Sequence, residues 1–154
     1  MKVKFTYSFK KEIAEAINMV LHFNDYRNLR SVIWPFPINL FRGASSKDKA
    51  IKHVEEIWKK IGPQVEEIFK KFHLKDIGNV TCYLHVISCE GWFDMDENSI
   101  HVRTTNYGSK KNLVDTIIHE LLHLVTYDEK LNYDEREAIV DNFLAKPELK
   151  SLIG

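Results

Sequence analysis

The feature that most constrains this chain is a polar stripe set into an otherwise apolar helix. From Asn112 to Val125 the sequence reads NLVDTIIHELLHLV. At about 100° per residue, Leu113, Val114, Ile117, Ile118, Leu121, Leu122, Leu124 and Val125 fill one half of the helical wheel. Asp115, Thr116, His119, Glu120 and His123 share the remaining arc. Such a helix buries most of its surface and opens one polar face. His123 lies only about 40° around and about 6 Å along from His119. Two imidazoles so placed can hold one metal ion about 2 Å from each nitrogen. Glu120 falls at the edge of the same sector, able to reach a water on the metal without being a ligand. A chance H-E-x-x-H sits on a solvated helix face. Here it interrupts an apolar helix, where unpaired polar groups are costly, so metal binding is the stronger reading.

Catalytic zinc takes three protein ligands and keeps one position open. Tyr133 to Ala145 reads as a second amphipathic helix, and Glu137 and Asp141, four residues apart, share one of its faces. One carboxylate can bind the metal while the other accepts the second N–H of a ligand histidine, fixing its tautomer. Glu129, ten residues after His119, is a rival ligand.

These residues resemble the gluzincin metallopeptidases, in which a helix carrying H-E-x-x-H is followed by one carrying E-x-x-x-D. The resemblance implies zinc as cofactor, Glu120 as general base, Glu137 as third ligand and Asp141 as the partner of His119. It also implies a small twisted sheet before the motif helix, with an edge strand running along the cleft; Ser99 to Arg103 fits that strand. The short connection from Leu124 to Arg136 and the lack of a separate C-terminal domain are closer to the very small archaeal and bacterial minigluzincins. The Glu137-Ala138 and Asn142-Phe143 pairs are also similar to the peptidase domains of antirepressor-cleaving regulators related to the radiation-response regulator of deinococci. Glu129 stands where metzincins and the rRNA-processing YbeY family place a histidine, and residues 122–129 echo the YbeY motif. The metzincin turn, however, uses glycine three residues after the second histidine. This chain has Thr126 there, a β-branched residue poorly suited to φ > 0, which favours Glu137.

The 154 residues suffice for one domain, 1–154, but not comfortably for two. Lysine plus arginine and aspartate plus glutamate are balanced at 22 each, so no global field draws the chain to nucleic acid or membrane. No stretch approaches the roughly 20 apolar residues of a membrane span, and the first residues lack a signal-peptide core. The expectation is a cytoplasmic protein acting on a peptide or protein. Cys82 and Cys89 are too far apart on an extended strand for a disulfide and read as buried free thiols.

Val3, Phe5, Tyr7 and Phe9 alternate with polar residues as a half-buried strand does. A helix follows over about 11–23, and then an irregular stretch from Asn24 to Gly43. Trp34-Pro35-Phe36-Pro37 at its centre is read as a packed surface loop, with a flap or plug as the alternative. Ser45 and Asp48 look like a capping arrangement opening a helix that Gly62 ends, with Pro63 starting the next. Val80 to Val86 alternates as a strand, and Trp92 to Asp94 and Ser99 to Arg103 flank a hairpin turn. His101 and Arg103 are expected on a cleft-facing or solvated strand face. His22, His53, His73 and His85 are expected at the surface or half-buried, and Tyr107, Tyr127 and Tyr133 are read as packing aromatics, with donation to an oxyanion as the alternative.

The expected fold is therefore α+β and zincin-like, a small, mostly antiparallel sheet with the motif helix packed across it and further helices at both ends. The expected activity is peptide hydrolysis with zinc, Glu120 as base, and His119, His123 and Glu137 as ligands. Two alternatives stand beside it: a zinc-dependent nuclease of the YbeY kind, and a non-enzymatic module with a structural zinc.

Overall fold

The computed structural model describes residues 1–22, 24, 36–104 and 112–153, with 36–46 described as backbone alone. Trp34, Pro35 and Tyr107 lie outside the described residues. The elements are β1 (Lys2–Thr6), α1 (Phe9–Leu21), α2 (Phe36–Lys71), β2 (Asn79–His85), β3 (Gly91–Asp94), β4 (Ser99–Arg103), α3 (Leu113–Thr126), α4 (Tyr133–Leu144) and α5 (Pro147–Ile153). This is an α+β arrangement. No helix among the described residues is long and apolar enough to cross a membrane.

The sheet has the order β1-β2-β4-β3 and is mixed, which corrects the mostly antiparallel expectation. β1 pairs parallel with β2, β2 parallel with β4, and only β3 with β4 antiparallel. The expected hairpin is present, joining Asp94 to Ser99, with Asn98 at φ 48° in its turn. Its second arm, β4, inserts between β3 and β2. Ser99 to Arg103 is therefore an interior strand, buried at every residue, and the edge belongs to β3. Hairpin sequence signals fix which strands are neighbours but not which arm joins the sheet, and that choice decides parallel or antiparallel.

On one face of the sheet Phe5, Val80, Cys82, Leu84, Ile100 and Val102 form a single apolar cluster with Ile117, Ile118, Leu121 and Leu122 of α3 and Val54, Val65 and Phe69 of α2. The apolar half of the motif helix is thus spent on the core, and its polar stripe emerges at the β3 side. The opposite face carries His85, His101 and Arg103, all buried, with Glu12 of α1 against His85. His85 is only 1% exposed, unlike the surface or half-buried position expected for it.

Helix α2 corrects three sequence-based boundaries. It begins at Phe36 and runs unbroken to Lys71, so 36–43 is helical and Ser45–Asp48 opens nothing. Pro37 falls in the first turn, where no intrahelical N–H bond is required. Pro63 lies inside the helix. The helix is carried across it by tertiary packing, while Gln64 Nε2 donates to the Lys60 carbonyl at 3.2 Å beside the gap. Gly62 does not stop the helix; it accommodates Trp58, whose Nε1 would stand 2.7 Å from an added Cβ. The helix ends in a Schellman arrangement, Leu74 N to Phe69 O and His73 N to Lys70 O, with His73 at φ 55°.

Helix propensity alone favours alanine over glycine at an interior position by about 1 kcal/mol. Trp58 reverses the sign, because its rigid ring packs edge-on against Phe5 and has little room to retreat. Gly62→Ala is expected to destabilise the fold by about 1–3 kcal/mol, the scale of overpacking. Urea unfolding checks this, and a stabilised variant would contradict it.

Candidate metal centre

Local sequence sets the two helices that meet at the site. Asn112 caps α3, its side chain accepting the Asp115 N–H at 2.9 Å. Asn132 and Glu135 form a reciprocal capping box at the start of α4, with bonds of 2.9 and 3.0 Å. That box fixes where α4 begins and so places Glu137 one turn in, facing α3.

His119, Glu120 and His123 are all buried, at 7%, 6% and 5% exposure, on a helix that is buried from Thr116 to Val125. The Nε2 atoms of His119 and His123 stand 3.1 Å apart. Glu137 brings Oε1 to 3.1 Å from His123 Nε2 and Oε2 to 3.5 Å from His119 Nε2. Ligand atoms of these three residues all lie within 4.8 Å of one another. Tetrahedral zinc with bonds of about 2.0–2.1 Å separates its ligand atoms by about 3.4 Å. The spacing and the two-histidine, one-carboxylate donor set therefore suit a zinc ion with one position left open. Ring stacking steadies one ligand, since Phe93 of β3 lies 5.0 Å from the His123 ring at an interplanar angle of 13°.

The three residues open onto a cleft of about 300 Å³ that is also lined by Glu120, Thr116, Tyr133 and, from the edge strand, Glu90 to Phe93. No family model, curated protein or solved structure matches the chain. The reading of the site therefore rests on its own chemistry.

Gly91 brings the edge strand close to Glu120. A Cβ there would stand 2.6 Å from Glu120 Oε1 and 2.8 Å from Thr116 Cγ2. Only glycine lets β3 pass so near the carboxylate. Sequence reasoning missed it, although an isolated glycine entering a strand is a known sign of close backbone approach. At the rim Tyr133 is 68% exposed; partial desolvation first, then the Glu137 charge and hydrogen bond, raise its pKa. Of the candidate tyrosines Tyr133 reaches the cleft, whereas Tyr127 packs edge-on against Phe93 and under Arg136.

Glu129 lies in the exposed turn after α3 and is not part of the ligand cluster. Asp141 is on the turn after Glu137 and is exposed. His101 and Arg103 face neither cleft nor solvent, being 0% and 3% exposed on the far side of the sheet. Cys82 and Cys89 are free thiols, the first buried and the second half-buried.

Competitive zinc titration separates these assignments. Glu137→Ala is expected to lose most of the affinity, and Asp141→Ala, which removes an exposed carboxylate, only a small part of it. Glu129→Ala is expected to be silent. Metal lost from Glu129→Ala and retained by Glu137→Ala would reverse the ligand assignment.

Proposed function

We propose that this chain is a zinc-dependent peptidase of gluzincin type, acting in the cytoplasm on an extended peptide or protein segment. The observation that supports the reading is one cleft in which three residues able to hold a metal, a carboxylate beside them and, among the described residues, a sheet edge meet. Bound zinc would supply Lewis acidity, acidifying water and polarising the scissile carbonyl.

The chain's own residues do the rest. His119, His123 and Glu137 hold the ion. Glu120 takes the proton of the attacking water and passes it to the leaving amine. Tyr133, protonated at the rim, donates toward the developing oxyanion. β3 binds the peptide by strand addition. Arg103 N–H bonds to the Glu90 carbonyl at 3.0 Å, and the antiparallel alternation then turns Trp92 and Asp94 toward β4. The backbone groups of Gly91 and Phe93 are left on the outer edge, along the cleft.

Among the described residues lining the cleft there is no lysine or arginine, while Glu90, Glu120 and Glu137 are acidic. That composition suits a peptide better than a phosphodiester backbone, whose recognition calls for cations.

Glu120→Gln is expected to keep zinc and fold while losing at least about 100-fold in hydrolysis of quenched peptides. Equal activity in that variant would remove Glu120 from the mechanism. Gly91→Ala is expected to retain zinc and yet lose about 10–100-fold, since a displaced general base is costly even over 1 Å. Full activity in Gly91→Ala would show that Glu120 does not depend on that close approach.

A further inference from the structure

The buried face of helix α1 carries two carboxylates beside Ala16 and Met19. Glu12 and Glu15 are buried, at 0% and 8% exposure, whereas Ile17, Val20 and Leu21 of the same helix are 49%, 45% and 75% exposed. Burying a carboxylate is a poor way to gain stability, since apolar groups of the same volume do as well or better. Glu12 is instead fully committed to the segment that leads into the cleft. Its Oε1 accepts the backbone N–H groups of Val86 at 2.9 Å and Ile87 at 2.7 Å. Its Oε2 meets His85 Nδ1 at 2.8 Å. His85 Nε2 meets His101 Nδ1 at 2.9 Å, and His101 Nε2 meets Ser99 Oγ at 3.4 Å. The His101 ring lies flat on Trp92 of the edge strand, with centroids 3.5 Å apart and an angle of 12°.

We propose that Glu12 is a positioning residue for the cleft, acting from the opposite face of the sheet. It fixes the loop 86–90 that delivers Glu90 and Gly91, and through His85 and His101 it fixes the ring on which Trp92 rests. The inference rests on the peptidase reading for its consequence in catalysis, but not for its physical content.

A carboxylate only accepts, so His85 carries a proton on Nδ1. Between His85 Nε2 and His101 Nδ1 one ring donates and the other accepts. Burial first, then the charges of His85 and Lys11, push the His101 pKa down to about 3, so that ring is neutral. A neutral ring can lie flat on Trp92 without stranding a buried cation.

Two substitutions at Glu12 separate positioning from bulk stability. In Glu12→Gln the Val86 and Ile87 N–H groups still require an oxygen, so the amide nitrogen must face His85. His85 Nδ1 then becomes the acceptor while its bond to residue 12 survives. Nitrogen-15 spectra of the imidazoles are expected to show the His85 proton leaving Nδ1. In Glu12→Ala the loop loses its acceptor. Amide exchange at Trp92 and Asp94 is expected to accelerate at least about tenfold, beyond that of core amides on α3, with zinc affinity unchanged and rescue in Glu12→Gln. On a mixture of quenched heptapeptides, KM is expected to rise about tenfold in Glu12→Ala with kcat retained.

A His85 proton retained on Nδ1 in Glu12→Gln, or β3 exchange moving only in step with α3 in Glu12→Ala, would overturn the proposal. Should Glu12→Ala fail to fold, the His85 Nδ1 proton in Glu12→Gln decides it. Both spectroscopic arms are read without substrate, so absence of peptide cleavage by the parent protein would count against the peptidase reading alone.

Discussion

Three polar groups from two helices converge in a place where an apolar core would otherwise close. His119 and His123 project from a helix whose other surfaces are fully buried, and Glu137 is brought against them from the next helix. The two imidazole nitrogens, 3.1 Å apart, and the half-buried Glu137 carboxylate stand within hydrogen-bond or ion-pair reach of one another. A divalent cation would draw all three into one coordination sphere. The rest of the architecture follows from this constraint: α3 must be apolar elsewhere to be held rigidly, α4 must be capped to set the register of Glu137, and β3 must remain an edge so that the cleft stays open.

The two faces of the sheet divide the work. One face and α3 make the hydrophobic cluster that gives the motif helix its rigidity. The other holds a buried polar chain under α1, ending in the ring stack against Trp92. The edge strand between them is braced from both sides, by Phe93 against His123 and by Trp92 against His101. Preorganisation of this kind matters most for a site built on a four-residue strand, which has few backbone bonds of its own.

What the sequence made legible was local. The motif helix and the Tyr133 helix carry a 3.6-residue period, so their existence, extent and polar faces could be read directly; the choice of Glu137 over Asp141 and Glu129 to meet His119 and His123 came from the family resemblance. The hairpin at residues 95–98 was equally legible. Sheet order was not, because the insertion of β4 between β3 and β2 depends on pairings between segments distant in sequence. The same limitation put Ser99–Arg103 at the edge and hid the burial of His101 and Arg103. Gly62 and Pro63 carry the local signature of a helix break, yet packing against Trp58 and the core carries α2 through. Glu12 and His85 were opaque for a related reason: a charged residue looks solvated until its tertiary partner, 73 positions away, is known. Gly91 gave a weak signal, but its meaning lies in the distance to Glu120 and cannot be read from neighbours in the chain.

The central claim is that the two helices form an open, three-ligand zinc site with Glu120 beside it rather than on it. Anomalous diffraction at the zinc edge from crystals of the zinc-loaded protein tests this most directly. The account predicts one anomalous peak bonded to His119 Nε2, His123 Nε2 and the Glu137 carboxylate, with a fourth position facing the cleft and the Glu120 oxygens outside bonding distance. A peak closed by a fourth protein ligand, or one bound elsewhere on the chain, would contradict it.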